Sequence, residues 1–410
     1  MAFIDFVFFF YMFVGLYMLS LLFLLYIQNR KRVFDYPKGK AVPVSIIVPC
    51  YNAEKSIGRT LDSLLKLKYD APIEIIVVDD KSRDNSTKVV SEYAKRYDNI
   101  RLIVNERNSG RAAEPTNIGV KAAKYDYVAV TDDDSTPEED ALIKMIGFLQ
   151  EDDRVSAVTC AVLAKHTETF MQKLQAIEYT VIAWSRKLLD LVDCVYVTPG
   201  PFALYRRDRL IEVGLFDTNN MTQDIEIVWR LISRGYIARM CLSARVHSET
   251  PRRLKAWFRQ RIRWNIGGTQ TLLKYKKYVF QKGMLGAFII PFFSLSLFLG
   301  LIGLGIFLYL FTRRIAVFYL SSLYSVEAQT TILRLSELSF SASILNYFGI
   351  ILFLLGASFT FFGLTVMGER KLYRYDTFFN VMFYMIVYLM IYPIIMITGL
   401  YKFARGKYSW

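Results

Sequence analysis

Cysteine and histidine are scarce in this chain, and their scarcity closes off two kinds of chemistry. Four cysteines, Cys50, Cys160, Cys194 and Cys241, are scattered through 410 residues without a C-x-x-C pair. Neither a disulfide framework nor a cysteine-based zinc site is supported, and scattered thiols suit a reducing cytoplasm. The two histidines, His166 and His247, add no metal-ligand spacing and read as structural or surface residues. Neither G-x-G-x-x-G nor G-x-x-x-x-G-K-[ST] occurs, which argues against a dinucleotide fingerprint and a P-loop. Charge is missing from four long apolar runs, 6–28, 286–311, 338–367 and 377–401. Each reaches the ~20 residues that span ~30 Å of hydrocarbon, so about four membrane spans are expected.

The first run is too long for the apolar region of a signal peptide and has no basic segment before it. Arg30, Lys31 and Arg32 follow it, so it reads as a retained anchor with the next domain in the cytoplasm. Four spans then put the C-terminus outside. Arg313 and Arg314, and later Lys402, Arg405 and Lys407, would lie outside too, against the positive-inside trend. Either a span is miscounted or the last segment is partly re-entrant. The net charge is +14, and residues 251–282 hold ten Lys/Arg and no Asp or Glu. A basic, aromatic stretch immediately before a span suits anionic lipid and phosphorylated substrates better than nucleic acid.

Between the first two runs the pattern is α/β. Strands are expected over 44–49, 73–78, 101–105 and 127–131, with helices over 54–67, 86–96 and 116–123. Such alternation implies right-handed βαβ units and a parallel sheet. Ligands of these sheets bind beyond the carboxyl ends of the strands, where this chain places Cys50-Tyr51-Asn52, Asp79-Asp80-Lys81-Ser82 and Asp132-Asp133-Asp134. Crowded carboxylates repel unless a cation or donors satisfy them. A hard divalent ion takes one or two carboxylates plus phosphate oxygens, and Asp132 and Asp134 alternate so that both can face one cleft. The bland alternative is a solvated turn. The amphipathic stretch 170–192 is expected to be a second interfacial helix beside an acceptor site.

Ser45-Ile46-Ile47-Val48-Pro49-Cys50-Tyr51-Asn52 and Ile76-Val77-Val78-Asp79-Asp80-Lys81-Ser82 resemble the opening of membrane-bound family-2 inverting glycosyltransferases with a GT-A (Rossmann-like) fold. Asp132-Asp133-Asp134 resembles their D-x-D. The segment 198–207 resembles their acceptor side, Thr222-Gln223-Asp224 their T-E-D, and Gln260-Arg261-Ile262-Arg263-Trp264 is a complete Q-x-x-R-W. The set covers roughly 42–282 and is similar to processive synthases of cellulose, hyaluronan and poly-N-acetylglucosamine.

The resemblance implies an anchor at 1–30, a cytoplasmic GT-A domain at 42–250 and a basic interfacial segment at 251–285. Three spans over 286–401 and a basic tail at 402–410 complete the expected order. It implies a UDP-sugar donor held by Pro49, Tyr51, Asp79, Asp80, Arg111, Asp132, Gln260, Arg261 and Arg263. It further implies Mg2+ or Mn2+ on Asp132 and Asp134, an acceptor at Gly200 and Trp264, and Asp224 as the base, the alternative for Asp224 being a helix N-cap. Two positions depart from the family. Gln223 replaces a glutamate, which should lower the pKa of Asp224 relative to a T-E-D site, and Arg111 replaces a lysine. The expected product is a β-linked polysaccharide or oligosaccharide at the membrane. The alternative is single transfer to a lipid carrier or glycolipid, because four spans are few for a secretion channel. An inactive scaffold or transporter would show decayed motifs, and these are intact.

Overall fold

The computed structural model describes residues 2–327, 344–368, 375–388 and 390–406. After α1 (Ala2–Asn29) the chain alternates β1 (Val44–Cys50), α2 (Ile57–Leu65), β2 (Ile73–Asp79), α3 (Ser86–Arg96), β3 (Ile100–Val104), α4 (Ala113–Ala122) and β4 (Tyr127–Val130). It continues through β5 (Ser135–Pro137), α5 (Ala141–Glu151), β6 (Val155–Ala164), α6 (Phe170–Asp190), β7 (Ala203–Arg206), α7 (Arg207–Glu212), α8 (Gln223–Ser233), β8 (Ile237–Ser248) and α9 (Leu254–Tyr275). β1 and β2 are runs of β-branched residues because both of their faces are covered. Ile47, Ile76 and Val78 enter one core with Val120 of α4 and Leu188 of α6. Ile46, Val48, Ile75 and Val77 enter the other with Leu61, Leu64 and Val90.

Eight strands form one sheet in the order β3-β2-β1-β4-β7-β6-β8-β5. The expected parallel arrangement holds for β3, β2, β1 and β4 but not for the whole sheet. β7 runs antiparallel to both β4 and β6, and β5 runs antiparallel to β8. Two helix starts also differ from expectation. Residues 53–56 form a turn, with the Ile57 and Ser56 N–H groups both donating to the Ala53 carbonyl, so α2 starts late. Pro115 sits in the first turn of α4, where its missing N–H costs nothing, so α4 starts early.

α6 opens with a capping box: the Gln172 N–H donates to Thr169 Oγ1, and the Thr169 N–H donates to Gln172 Oε1. The helix has neighbours on both sides. α6 is buried between β6 and β8 on one side and α1 and α11 (Ile344–Val366) on the other. Trp184 stacks edge-on against Tyr26 and Phe362 from those two apolar helices.

The remaining described elements are a 3-10 turn over Lys276–Tyr278, a π-turn over Leu285–Ile289, α10 (Ile290–Glu327), α12 (Tyr375–Phe383), a second π-turn over Tyr384–Tyr388 and α13 (Tyr392–Ala404). Among the described residues, Asp5–Asn29 and Leu285–Tyr324 are long and apolar enough to cross a membrane. Phe378–Tyr388 and Tyr392–Ala404 form a third crossing only if counted together across a 42° bend, and Ile350–Val366 is a shorter apolar helix. The four runs thus correspond to α1, α10, the 23-residue α11 and one broken pair. The break follows the second π-turn and precedes Pro393 in the first turn of α13. Residues 338–343 of the third run, and the tail residues 407–410 with Lys407, lie outside the described residues.

Candidate active site

A cleft of about 760 Å³ opens beyond the carboxyl ends of β1, β2 and β4. Of the residues singled out above, Pro49, Tyr51, Asp80, Arg111, Asp132, Asp134, Gly200, Asp224, Gln260, Arg263 and Trp264 line it. Asp79 and Arg261 do not.

The acidic side is crowded. Burial, and then the charges of Asp134, Asp133 and Asp224, push the Asp132 carboxyl well above the usual carboxylate range, with Arg263 opposing. Burial and Asp134 raise Asp133 to about 7, although its Oδ2 accepts the Tyr51 N–H at 3.2 Å. Asp134 is also raised by burial and accepts from the Ser135 hydroxyl at 3.1 Å. Among the described residues no group of three or more His, Cys, Asp or Glu side chains is arranged to hold a metal alone. What fits instead is an ion that takes Asp132 and Asp134 and completes its shell with ligand oxygens.

Asp80 and Asp79 diverge. Asp80 accepts from Asn105 Nδ2 at 2.7 Å, the Ser109 N–H at 2.9 Å and the Ser109 hydroxyl at 2.7 Å. It thereby anchors the loop that carries Arg111, whose guanidinium donates to the Thr218 carbonyl at 3.0 Å. The Asp79 carboxylate turns away from the cleft to accept from Ser82 and from Thr87 at 2.6 Å. Buried at the end of β2 against the first turn of α3, it orders the turn after β2 and is not a cleft contact.

On the opposite wall, Asp224 lies in the first turn of α8. Thr222 occupies the N-cap position, so the capping alternative for Asp224 does not hold. Burial raises the Asp224 pKa, with Arg263 and then Arg186 pulling it back. The neutral Gln223 beside it contributes no charge, and burial sets the direction. Burial lowers the pKa of Arg263 while Asp224 and Asp132 raise it, so this guanidinium sits electrically between the two acids.

Arg261, expected on the donor diphosphate, is engaged elsewhere. Its guanidinium is buried in an ion pair with Glu178 of α6 and donates to Tyr392 Oη at 3.2 Å and to Gln260 Oε1 at 2.7 Å. Arg261 and Arg263 stand two positions apart on α9 and so face different ways, one towards Glu178 and Tyr392 and the other into the cleft.

Cleft residues that the sequence does not single out include Tyr179 and Arg186, within the stretch expected beside the acceptor, and Glu249 beyond β8. The signal for α6 lay in Glu178 and Arg186. Both are charged side chains that the helix buries.

A family profile described as "Glycosyltransferase like family 2" matches residues 41–267. A poly-beta-1,6-N-acetyl-D-glucosamine synthase of Staphylococcus aureus (strain COL) is 32% identical over 232 residues, 56% of this chain and 56% of that one. The Staphylococcus epidermidis synthase of the same name is 30% identical over 247 residues, 60% of this chain and 59% of that one. The chain thus spans little more than half the length of these curated relatives. Among solved structures, a mannosyltransferase from Pyrobaculum calidifontis in complex with GDP-Man and Mn2+ covers 97% of this chain and 100% of its own. Its TM-score is 0.55 at 18% identity, a likeness of fold.

Proposed function

The chain belongs to glycosyltransferase family 2, and on that premise we propose that it moves a sugar from a nucleotide-sugar, a UDP-sugar, to a membrane-associated growing polysaccharide, with inversion to a β-linkage. The observation that carries this reading is the opposition of Asp132 and Asp134 to Asp224 across one cleft, with Arg263 between them.

In this reading the diphosphate lies against Asp132, Asp134 and Arg263, while Pro49, Tyr51, Asp80, Arg111 and Gln260 border the rest of the donor. Arg263 offers a planar fork that matches phosphate oxygens. A Mg2+ or Mn2+ ion held by Asp132 and Asp134 would supply Lewis-acid stabilisation of the departing nucleotide diphosphate. Asp224 takes the proton from the acceptor hydroxyl Oδ-ward as that oxygen attacks the anomeric carbon. The raised pKa of Asp224 makes it a better proton acceptor once ionised. Trp264 and Gly200 border the acceptor, where an indole face suits a sugar ring. The apolar helices support an integral membrane protein of several passes, with the 42–250 domain in the cytoplasm and the basic face of α9 on anionic headgroups.

Single transfer to a lipid-linked acceptor has one observation in its favour. Arg186, nine-tenths buried, lines the cleft together with the apolar Ile182 and Ala183 of α6, the helix that packs on α1 and α11. Purified protein in lipid is screened with a panel of UDP- and GDP-sugars for acceptor-dependent nucleotide release. Release from at least one donor is expected, and release from none contradicts the proposal.

A further inference from the structure

The buried Glu178–Arg261 pair lies outside the cleft yet touches both the membrane helices and the residues that line it. From α6, one carboxylate accepts from three donors: the Arg261 guanidinium, Tyr388 Oη at 2.6 Å, and Tyr392 Oη. Tyr388 ends the second π-turn and Tyr392 starts α13, so the two hydroxyls come from opposite sides of the 42° bend. Glu178 therefore pins the break itself. From the other end, Arg261 donates to Gln260 Oε1 and stacks beneath the Trp264 ring at 3.9 Å, and both of these side chains line the cleft. α13 meets α9 so closely that a Cβ on Gly399 would stand 2.5 Å from Asn265 Oδ1. The contact path from the bent membrane pair to the acceptor wall is continuous: Tyr388 and Tyr392, Glu178, Arg261, then Gln260 and Trp264.

We propose that Glu178 is a positioning residue, which through Arg261 fixes Trp264 and Gln260 in the cleft relative to the bend between Tyr388 and Tyr392. The carboxylate has enough lone pairs for three donors, and an arginine fork can hold the carboxylate while its face supports an indole. Glu178→Gln keeps the shape but removes the charge and turns an amide N–H towards groups that themselves donate. Trp264 then loses its fixed support.

The test has two arms. In the first, spin labels at Arg259→Cys on α9 and Lys402→Cys on α13 report the helix separation in the full chain in lipid nanodiscs, the four native thiols being buried. One narrow distance distribution is expected with Glu178 present and a broadened or shifted one with Glu178→Gln; an unchanged distribution overturns the proposal. This arm does not depend on the transferase reading. The second arm does: UDP-N-acetylglucosamine and a short N-acetylglucosamine oligomer serve as donor and acceptor. Glu178→Gln should raise KM for the oligomer about tenfold, the scale of a sub-ångström displacement, and move KM for the donor less. A merely structural role would lower kcat through lost folded protein and leave both KM values in place. Glu178→Met with Arg261→Met removes both buried charges at similar volume and should recover thermal stability without recovering acceptor KM. Recovery of acceptor KM overturns the proposal. Wild-type protein without transfer from any donor counts against the function and leaves the first arm to decide.

Discussion

Gly200 is pressed against Asp132: a Cβ built on its backbone would stand 2.6 Å from Oδ1 and 2.8 Å from Oδ2 of that carboxylate. The atoms that must give way are the carboxylate oxygens of Asp132, which borders the cleft. Gly200→Ala is expected to displace the carboxylate and cut nucleotide release about 100-fold, as misplacement of a reacting group does, with little change in melting temperature. Near wild-type release from this variant would show that the position of Asp132 is unimportant.

The pH dependence follows from the raised pKa of Asp224. A base must be ionised, so kcat/KM should rise with pH through a value above the ordinary carboxylate range and be lost below it. Burial raises this pKa while Arg263 and Arg186 oppose the rise. Arg186→Met removes one of those opposing cations and should move the acidic limb to higher pH. Profiles that superimpose would separate Arg186 from the base.

Divalent metal and nucleotide should bind together. With two carboxylates available and the rest of the shell left to phosphate oxygens, Mn2+ plus UDP should raise the melting temperature more than the two separate shifts combined. Asp134→Asn should abolish that excess. Additive shifts in the wild-type protein would count against a metal bridging Asp132, Asp134 and the diphosphate.

The helix that carries Asp224 is tied to α9 by Glu226. Its carboxylate pairs with Arg230 and accepts from Lys274 Nζ at 2.7 Å and Tyr275 Oη at 2.8 Å. Glu226→Ala strands the mostly buried Arg230 charge and should destabilise by about 3 kcal/mol, the low end for a broken buried pair because Lys274 stays hydrated. Thermal unfolding in detergent measures this. A shift within the scatter of surface variants would show that α8 is held by its apolar face alone.

The parallel half of the sheet was legible because its strands are continuous β-branched runs separated by helix-length intervals, and Ile46 to Val48 and Ile75 to Val78 behave as such runs must. The cleft was legible for a related reason: in a parallel sheet, polar residues after the strands have one place to go. β7 was not, because Ala203–Arg206 owes its antiparallel direction to how α6 returns the chain, which no local pattern records. Arg261 was misassigned because a basic residue beside Arg263 looks equivalent in one dimension. Its partner Glu178 lies 83 positions away, and only the packing of α6 against α9 brings them together. The last apolar run has span length in sequence, yet its bend is pinned by Tyr388, Tyr392 and Glu178, side chains that hydropathy does not weigh.

Transfer of a sugar through Asp224 is the central claim, and product analysis tests it most directly. Wild-type and Asp224→Asn protein in lipid are incubated with a radiolabelled nucleotide-sugar that supports release, and the products are resolved by size. The account predicts labelled polysaccharide from the wild type and at least a ~100-fold loss from Asp224→Asn, the range for removal of a general base, with donor binding retained. Equal labelled product from the two proteins would contradict it.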